Sequence, residues 1–346
     1  MSSLDDLTFL IPPLWEKEWK ETIDEAEGVD KQLLLFQAHL ANMLKTLKDC
    51  RITPERLAWF SLWSKTFLAL DGARSALVRD SEYILHMLAR ASFENLLHAR
   101  TVMEPDFRLY KPASTFLESE TVKKSEEEIW GDVADRLRGY AAWCLWSDKQ
   151  FYEELLKKDT LDKVWDPMPA FKIKNDPTKR VMHESLFGPL DIETDSDRLQ
   201  EERAEYEQEF RKSLDRVGSW LKHPELKGWG EKLTRKPKTN FFALCGVKNG
   251  KVPKRLENLG LGFAYASYMQ GSMLIHGSTL DSLYCNMEGK KLMPKFFGEK
   301  KRVELLASEI GDSCNQVILL LVLMQKNLWP EEKKVTVSNN ENTLLL

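Results

Sequence analysis

The chain has 346 residues, of which 42% are hydrophobic, and carries a formal net charge of −4 at pH 7. This length and hydrophobic content are ample for a packed core. The slightly acidic balance indicates no bulk attraction to nucleic acid, but an average can hide charge that is segregated along the chain. Five cysteines are scattered singly without a CxxC pair, which argues against a disulfide framework or a zinc site and favours the reducing cytoplasm.

Apolar residues recur mostly at spacings of three and four, which predicts an all-α protein in which strands are at most minor. In the first part of the chain the predicted helices span about 31–48, 54–69, 73–103 and 125–157. The second of these has Thr53 as N-cap and Pro54 at its first position. The fourth opens with Ser125 and Glu128, which form a capping box.

Residues 159–196 are rich in proline and aspartate and lack a steady period, so they are interpreted as an irregular excursion. Further helices are predicted over about 197–221, 254–286 and 301–328. The predicted fold is a multi-helix bundle with a charged helical insertion. Its parts are an N-terminal section 1–158, the excursion 159–196, a C-terminal section of the same domain 197–330, and a flexible tail 331–346.

The chain offers no segment that predicts membrane insertion or export. The longest uninterrupted apolar run, Val317 to Met324, is far shorter than the roughly 20 residues that a membrane-spanning helix requires. The N-terminus lacks a basic start, an apolar stretch and a small-residue cleavage site. We therefore expect a cytoplasmic protein without a membrane partner.

Polar side chains interrupt the apolar face of the predicted helix 73–103. They follow one another at spacings of seven, four, four and four, which predicts a single stripe: Arg79, His86, Arg90, Glu94 and His98. The leucines around them indicate a largely buried helix, in which charges must be paired, as Arg90 and Glu94 can be. One interpretation is a structural ion pair with core histidines. The other is a functional site.

The string RDSEYILH, from Arg79 to His86, places six residues between arginine and histidine, with aspartate directly after the arginine. It is similar to the motif of the HEPN superfamily of helical ribonucleases, in which an arginine, a polar residue and a histidine form the catalytic signature. The resemblance implies that Arg79 and His86 belong to an active site.

A second predicted helix, within 254–286, also carries polar groups in an apolar stripe, including Tyr265, Ser272 and His276. Gly271 between them lowers helix stability by about 1 kcal/mol relative to alanine, which indicates close approach by another helix or a ligand. The alternative for His276 is a core histidine that is hydrogen-bonded by Ser272 or Tyr268.

Basic segments flank this helix. From Lys222 to Arg255 there are ten Lys or Arg against two Glu, and from Lys290 to Arg302 there are six against one. Such asymmetry in an acidic protein suits a phosphate-bearing ligand such as RNA. The candidate nucleic-acid contacts are Lys232, Arg235, Lys236, Lys238, Lys248, Lys251, Lys254, Arg255 and Ser272. The alternatives are a solvated lysine-rich loop, or compensation of the charge by the acidic segment 191–216.

Arg90 and Glu94, together with the later string SMLIHGS from Ser272 to Ser278, resemble a widespread bacterial family of uncharacterised helical domains. Its hallmark is an arginine and a glutamate one turn apart, followed by serine, three residues, histidine and a small residue or proline before serine. The resemblance covers about 60–328 and leaves 104–200 unmatched. This family is distantly similar to the HEPN helical bundles of toxin and phage-defence operons, which implies a homodimer.

If the chain is a metal-independent ribonuclease, His86 or His276 would transfer the proton and Arg79 or Arg90 would clamp the phosphate. Glu94 would orient an arginine, and the 2′-hydroxyl requirement would make the enzyme specific for RNA. No cofactor or metal is expected, because neither a P-loop string nor the Glu-x-x-His spacing of a helical di-metal site is present. The rival hypothesis is a non-catalytic sensor or scaffold that binds a nucleotide, a nucleic acid or a partner protein. In either case the two polar helices are predicted to meet.

Overall fold

The computed structural model describes most of the chain in separate stretches. These are residues 19–45, 51–104, 124–158, 160–161, 177–178, 181, 185, 192–237, 239–247, 251–258, 267–269, 272, 285–288, 291–294 and 299–329. The predicted tail 331–346 and most of the predicted excursion 159–196 lie outside them.

Helices dominate the described residues, as predicted. They are α1 (Trp19–Glu25), α2 (Gly28–Lys45), α3 (Pro54–Val78), α4 (Glu82–Met103), α5 (Glu126–Leu155), α6 (Ile192–Leu221), α7 (Lys227–Arg235), α8 (Phe241–Leu244), α9 (Val252–Asn258) and α10 (Lys300–Leu328), with a 3₁₀ turn at Pro224–Leu226. The two local caps predicted from sequence are confirmed. Thr53 Oγ1 accepts a hydrogen bond from the Arg56 amide at 3.4 Å, and the Ser125 amide donates to the Glu128 carboxylate at 2.9 Å.

The predicted division between helices 54–69 and 73–103 is wrong. Helix α3 runs through Gly72 to Val78, and α4 begins only at Glu82. Gly72 lies at a close approach of α3 to α4 and not at a break: a Cβ there would lie 2.9 Å from Leu88 Cδ1, so the end of the Leu88 side chain would have to shift. The chain turns instead at Asp80, whose φ of 49° lies in the left-handed region that aspartate tolerates better than most residues.

This turn makes a testable prediction about stability. We expect Asp80→Gly to raise the free energy of unfolding by up to about 1 kcal/mol, because glycine adopts positive φ without a Cβ penalty. Asp80→Val should lower it by about 1 to 2 kcal/mol. The urea concentration at the midpoint of unfolding, at an unchanged m-value, measures the change in the free energy of unfolding for both variants. In the neighbouring control, Arg79→Gly, φ is −98°, so glycine should only destabilise. Equal loss in Asp80→Gly and Arg79→Gly would contradict the strain at Asp80.

A short antiparallel hairpin is the one pair of strands in the described ranges. Strand β1 (Cys285–Glu288) pairs with β2 (Lys291–Pro294), with Glu288 opposite Lys291. Two intervening residues separate this closing pair, the commonest length for a hairpin connection. The predicted helix 254–286 is therefore wrong at its end, where Cys285 already belongs to β1. Within that range, α9, Ser267 to Met269 and Ser272 are helical.

The chain separates into two compact units, Met1–Tyr140 with Thr239–Leu346, and Ala141–Lys238. The boundaries predicted from sequence, at 158/159 and 196/197, both lie within the second unit. There, α6 starts at Ile192, inside the predicted excursion, and α7 was not predicted. In the second unit the Trp146 indole donates to the Pro237 carbonyl at 3.3 Å.

Helices α2, α3, α4 and α10 pack on one another to form the core of the first unit. Buried tryptophans tie them together through their indole N–H groups. Trp59 donates to the Leu321 carbonyl on α10 at 3.1 Å, and Trp63 donates to the Leu40 carbonyl on α2 at 2.8 Å. Since buried N–H groups must be paired, these contacts fix how α3 lies against its neighbours.

Helix α10 is long and apolar enough, by length and composition alone, to cross a membrane. Its most apolar 18-residue window has a mean hydropathy of 1.4, but 56% of that window is buried within the protein. The core helix of a soluble protein has these properties, and α10 packs against α2, α3 and α4 in this way.

Candidate functional site

The two polar segments singled out in the sequence meet, as predicted, at a cluster formed by Arg90, Glu94, Tyr268 and Ser272, here called the Arg90 cluster. On α4, Arg90 Nε donates to Glu94 Oε1 at 3.2 Å. Arg90 Nη1 donates to Ser272 Oγ at 3.4 Å, and the Tyr268 hydroxyl donates to Glu94 Oε1 at 3.0 Å. Residues 182 and 174 positions apart in the sequence are thereby brought together.

The cluster is open to solvent on one side. The side chains of Arg90 and Glu94 are 22% and 36% exposed, whereas His86 on the same helix is 2% exposed. The guanidinium carbon of Arg90 lies 5.5 Å from the centre of the Tyr268 ring, a cation–π contact. A partly exposed guanidinium held in a defined orientation is a binding group for a phosphate or carboxylate.

Tyr268 stays protonated in this environment. Burial raises the pKa of its hydroxyl, and the neighbouring Glu94 carboxylate raises it further, while Arg90 acts in the opposite direction. The Tyr268 hydroxyl therefore remains a hydrogen-bond donor at neutral pH. It holds Glu94 in place, and Glu94 in turn holds Arg90.

The residue before Tyr268 bonds a carboxylate that was not predicted. Ser267 Oγ donates to Glu309 Oε2 on α10 at 3.0 Å. Burial is the main cause that raises the pKa of Glu309, with a further contribution from Asp312, and the Ser267 hydrogen bond opposes it. In the sequence, Glu309 is one acidic residue among the apolar residues of α10. An acidic residue on the exposed face of any helix gives the same pattern, so the sequence did not single out Glu309.

The predicted pair Arg79 and His86 lies on two different helices. Arg79 caps the end of α3 and is exposed, while His86 lies one turn inside α4 and is buried. His86 Nε2 is 3.6 Å from Glu82 Oε1, and Arg302 Nη2 from α10 lies 2.9 Å from the same oxygen. The predicted single stripe is wrong because the turn at Asp80 separates Arg79 from α4.

His98 belongs to the core. Its ring stacks on Phe242 with the ring centres 5.2 Å apart, and the rings of Tyr140 and Phe241 lie at 5.4 Å and 5.8 Å. Burial, assisted by the positive charge of Lys65, lowers the pKa of His98 to about 3. The imidazole is therefore neutral at physiological pH and cannot exchange protons with a substrate.

The predicted basic contacts have different surroundings. Lys232, Arg235 and Lys236, in the second unit, are exposed, as are Lys251 and Lys254 in the first. Arg255 is 2% exposed, donates to Thr101 Oγ1 at 2.9 Å and stacks on Phe242, so its predicted role as a nucleic-acid contact does not fit. The remaining predicted site residues, Lys238, Lys248 and His276, lie outside the described residues, together with Tyr265, Gly271, Gly277 and Ser278.

No group of three or more His, Cys, Asp or Glu side chains that could hold a metal ion occurs in the described part of the chain. Cys144, Cys245 and Cys314 are free thiols. Burial raises the pKa of Cys314 to about 12, so this thiol is not a nucleophile at neutral pH. The Arg90 cluster is thus built from hydrogen-bonding and charged groups alone.

Comparisons of the chain with protein-family models, with curated proteins and with solved structures found no match. The geometry of the Arg90 cluster therefore carries the functional inference.

Proposed function

We propose that the chain is a metal-independent endoribonuclease of HEPN-like character, and that the Arg90 cluster holds the phosphate of its RNA substrate. The observation that supports the proposal is the partly exposed guanidinium of Arg90, held by Glu94 and Ser272 from two segments far apart in the sequence.

The cluster suits a phosphate for a geometric reason. Guanidinium has five N–H donors in a planar fork, and Arg90 directs Nε to Glu94 and Nη1 to Ser272. A guanidinium fork can donate in parallel to two non-bridging oxygens of a phosphate. Glu94 and Tyr268 keep the fork in one orientation, so little side-chain entropy is lost on binding.

Cleavage requires a group that transfers protons at neutral pH. His86 is buried and the pKa of His98 is lowered to about 3, so we assign this role to His276, which follows Ser272 by four residues in the sequence. A histidine at this position would donate to the leaving 5′-oxygen while Arg90 neutralises the negative charge that develops on the phosphorane. Attack by the ribose 2′-hydroxyl would restrict the enzyme to RNA.

The resemblance of Arg90, Glu94 and the string SMLIHGS to a HEPN-like family supports a biological setting for the proposed activity. A HEPN-like protein would act as a homodimer in the cytoplasm, in a bacterial toxin or antiphage defence system. Within the first unit, the exposed Lys251 and Lys254 would contribute sequence-independent contacts to the RNA backbone.

RNA cleavage in the presence of EDTA tests the proposal. Purified full-length protein is incubated with a 5′-labelled RNA pool of random sequence, and we expect products that end in 2′,3′-cyclic phosphate. The His276→Ala variant should cleave about 100-fold more slowly, the usual effect of removing a general acid. His223→Ala is the histidine control, because His223 caps the 3₁₀ turn of the second unit. Equal rates for His276→Ala and wild type would remove His276 from the mechanism.

The second candidate function is phosphate-ligand binding without catalysis, in a sensor or scaffold. It is favoured by the state of the two histidines of α4, because His86 is buried and His98 is packed among aromatic rings with a pKa lowered to about 3. In that case wild type would bind the RNA pool at the Arg90 cluster and leave it intact with or without EDTA. The same assay, combined with fluorescence anisotropy of labelled RNA, separates the two functions.

A further inference from the structure

Arg90 and Glu94 can both be reached from solvent. Their side chains are 22% and 36% exposed, and they lie one turn apart on α4, about 6 Å along the helix axis. The pair therefore offers a cation and an anion side by side. A ligand that uses both groups must carry a negative charge for Arg90 and, next to that charge, a hydrogen-bond donor for Glu94.

The surface beside Glu94 carries a small side chain. Ala91 is exposed and precedes Glu94 by three residues, a spacing that makes the two residues neighbours on the surface of a helix. The side chain of alanine is a single methyl group, so it leaves room for a ligand. A ligand can approach Glu94 from this side without displacing Arg90.

Both protein donors to Glu94 act on the same oxygen. Arg90 Nε donates to Oε1 at 3.2 Å, and the Tyr268 hydroxyl donates to Oε1 at 3.0 Å. An ionised carboxylate has two oxygens with about four lone-pair sites between them. The acceptor capacity of Glu94 therefore exceeds the two hydrogen bonds that it receives from Arg90 and Tyr268.

The charge of the Arg90 cluster favours one kind of phosphate. The positive charge of Arg90 is balanced by the negative charge of Glu94, and Tyr268 is neutral because burial raises the pKa of its hydroxyl. A phosphate monoester carries about two negative charges at neutral pH, so Glu94 repels it more strongly. A phosphodiester carries only one negative charge, which Arg90 neutralises. The cluster thus suits a phosphate within a nucleic-acid backbone.

The donor that Glu94 requires is present in RNA. Carboxylates accept hydrogen bonds from ribose hydroxyls in the dinucleotide-binding folds, where an Asp or Glu binds the ribose 2′-hydroxyl. The 2′-hydroxyl is also the group by which a protein distinguishes RNA from DNA. In RNA this hydroxyl lies next to a backbone phosphate. DNA offers the phosphate without the hydroxyl.

We propose that Glu94 is a specificity-determining residue, which accepts a hydrogen bond from the 2′-hydroxyl of a ribose next to the phosphodiester that Arg90 holds. This inference rests on the proposed binding of RNA at the Arg90 cluster and applies with or without catalysis. It goes beyond the chemical need for a 2′-hydroxyl in cleavage, because the protein then selects RNA when it binds.

Binding of matched oligonucleotides tests the role of Glu94. Fluorescein-labelled single strands of one sequence contain ribose, 2′-deoxyribose or 2′-O-methylribose, of which the last keeps the 2′-oxygen but cannot donate. Stopped-flow anisotropy in the cold, with EDTA present, records binding before cleavage. Full-length wild type should bind the ribose strand about 10-fold more tightly than the other two, the effect of one hydrogen bond to a charged group.

Three variants separate recognition of ribose from the orientation of Arg90. Glu94→Ala should bind the three strands with affinities equal to within about twofold, because the acceptor is gone. Glu94→Gln keeps a neutral acceptor and should retain part of the preference for ribose. Tyr268→Phe is the matched control. It removes a hydrogen bond to the same carboxylate, so it should weaken binding of all three strands equally and keep the preference.

Adenosine 5′-monophosphate distinguishes an RNA backbone from a free nucleotide. It has ribose hydroxyls but carries a phosphate monoester, so it should not displace the ribose strand from wild type. Displacement by this nucleotide at concentrations close to the Kd of the strand would show that the site takes a free nucleotide. The assignment of Glu94 to the RNA backbone would then be wrong.

The remaining outcomes separate this inference from the proposed function. If Arg90→Ala weakens binding of all strands but Glu94→Ala keeps the wild-type preference for ribose, RNA binds at the cluster and Glu94 only orients Arg90. If Arg90→Ala binds every strand as wild type does, the proposed function and the role of Glu94 both fail. If wild type prefers ribose through Glu94 but cleaves no RNA, the role of Glu94 stands and the ribonuclease proposal fails.

Discussion

Replacement of Arg90 by alanine will lower kcat/KM for RNA cleavage about 1,000-fold or more. Arginines that stabilise charge in phosphoryl chemistry have effects of this size, because the guanidinium both binds the phosphate and neutralises the transition state. Arg90→Lys keeps one positive charge but not the planar fork, so we expect an intermediate loss. RNA affinity is measured by fluorescence anisotropy at several salt concentrations. The slope of the logarithm of the binding constant against the logarithm of the salt concentration should be smaller by about 1 in Arg90→Ala.

Arg79→Ala is the matched control for this prediction. Both arginines lie near α4, but Arg79 is exposed at the end of α3 and has no part in the Arg90 cluster. Its cleavage rate should equal that of wild type. If Arg79→Ala abolishes cleavage while Arg90→Ala does not, the HEPN-like signature RDSEYILH would hold the active site after all.

Acidification will destabilise the first unit through His98. The pKa of this imidazole is lowered from 6.5 to about 3 by burial and by Lys65, so the unfolded chain binds a proton that the folded chain does not. Stability from this group is fully present above pH 6.5 and is lost as pH falls towards 3. Between these two pH values the free energy of unfolding should fall by about 1.4 kcal/mol per pH unit, or by about 4 to 5 kcal/mol in total.

Urea unfolding at a series of pH values between 3 and 7 measures this slope. His98→Phe removes the titrating group but keeps an aromatic ring among Tyr140, Phe241 and Phe242, so its stability should fall less steeply with acid. Burial also lowers the pKa of His39, and His39→Gln should therefore remove a smaller part of the slope. An unchanged slope in His98→Phe would mean that carboxylates elsewhere govern acid unfolding.

Local contacts were predictable from the sequence because the two residues that form each contact lie within a few positions of each other along the chain. The Thr53 cap, the Ser125 to Glu128 capping box and the Arg90 to Glu94 pair are all i to i+3 or i to i+4 interactions. A helical period alone places such side chains next to each other. The same period predicted a mainly helical chain.

The position of the turn between α3 and α4 was not predictable from residue preferences. Glycine breaks isolated helices more often than aspartate does, yet Gly72 is helical and the chain reverses at Asp80. What allows α3 to continue past Gly72 is its packing against α4. Leu88 on α4 fills the space beside Gly72, and only the packed pair of helices shows that a side chain there would collide.

By itself, the amino-acid sequence determined the helical class, the caps and the pairing of Arg90 with Glu94, because neighbouring residues specify these features. Only the tertiary structure decided which polar residues are buried and which face solvent. It placed His86 and Arg255 in the interior, stacked His98 on Phe242, and brought Ser267 to Glu309 across 42 positions. Burial and long-range contacts depend on how separate helices pack, and a single helix carries no information about its neighbours.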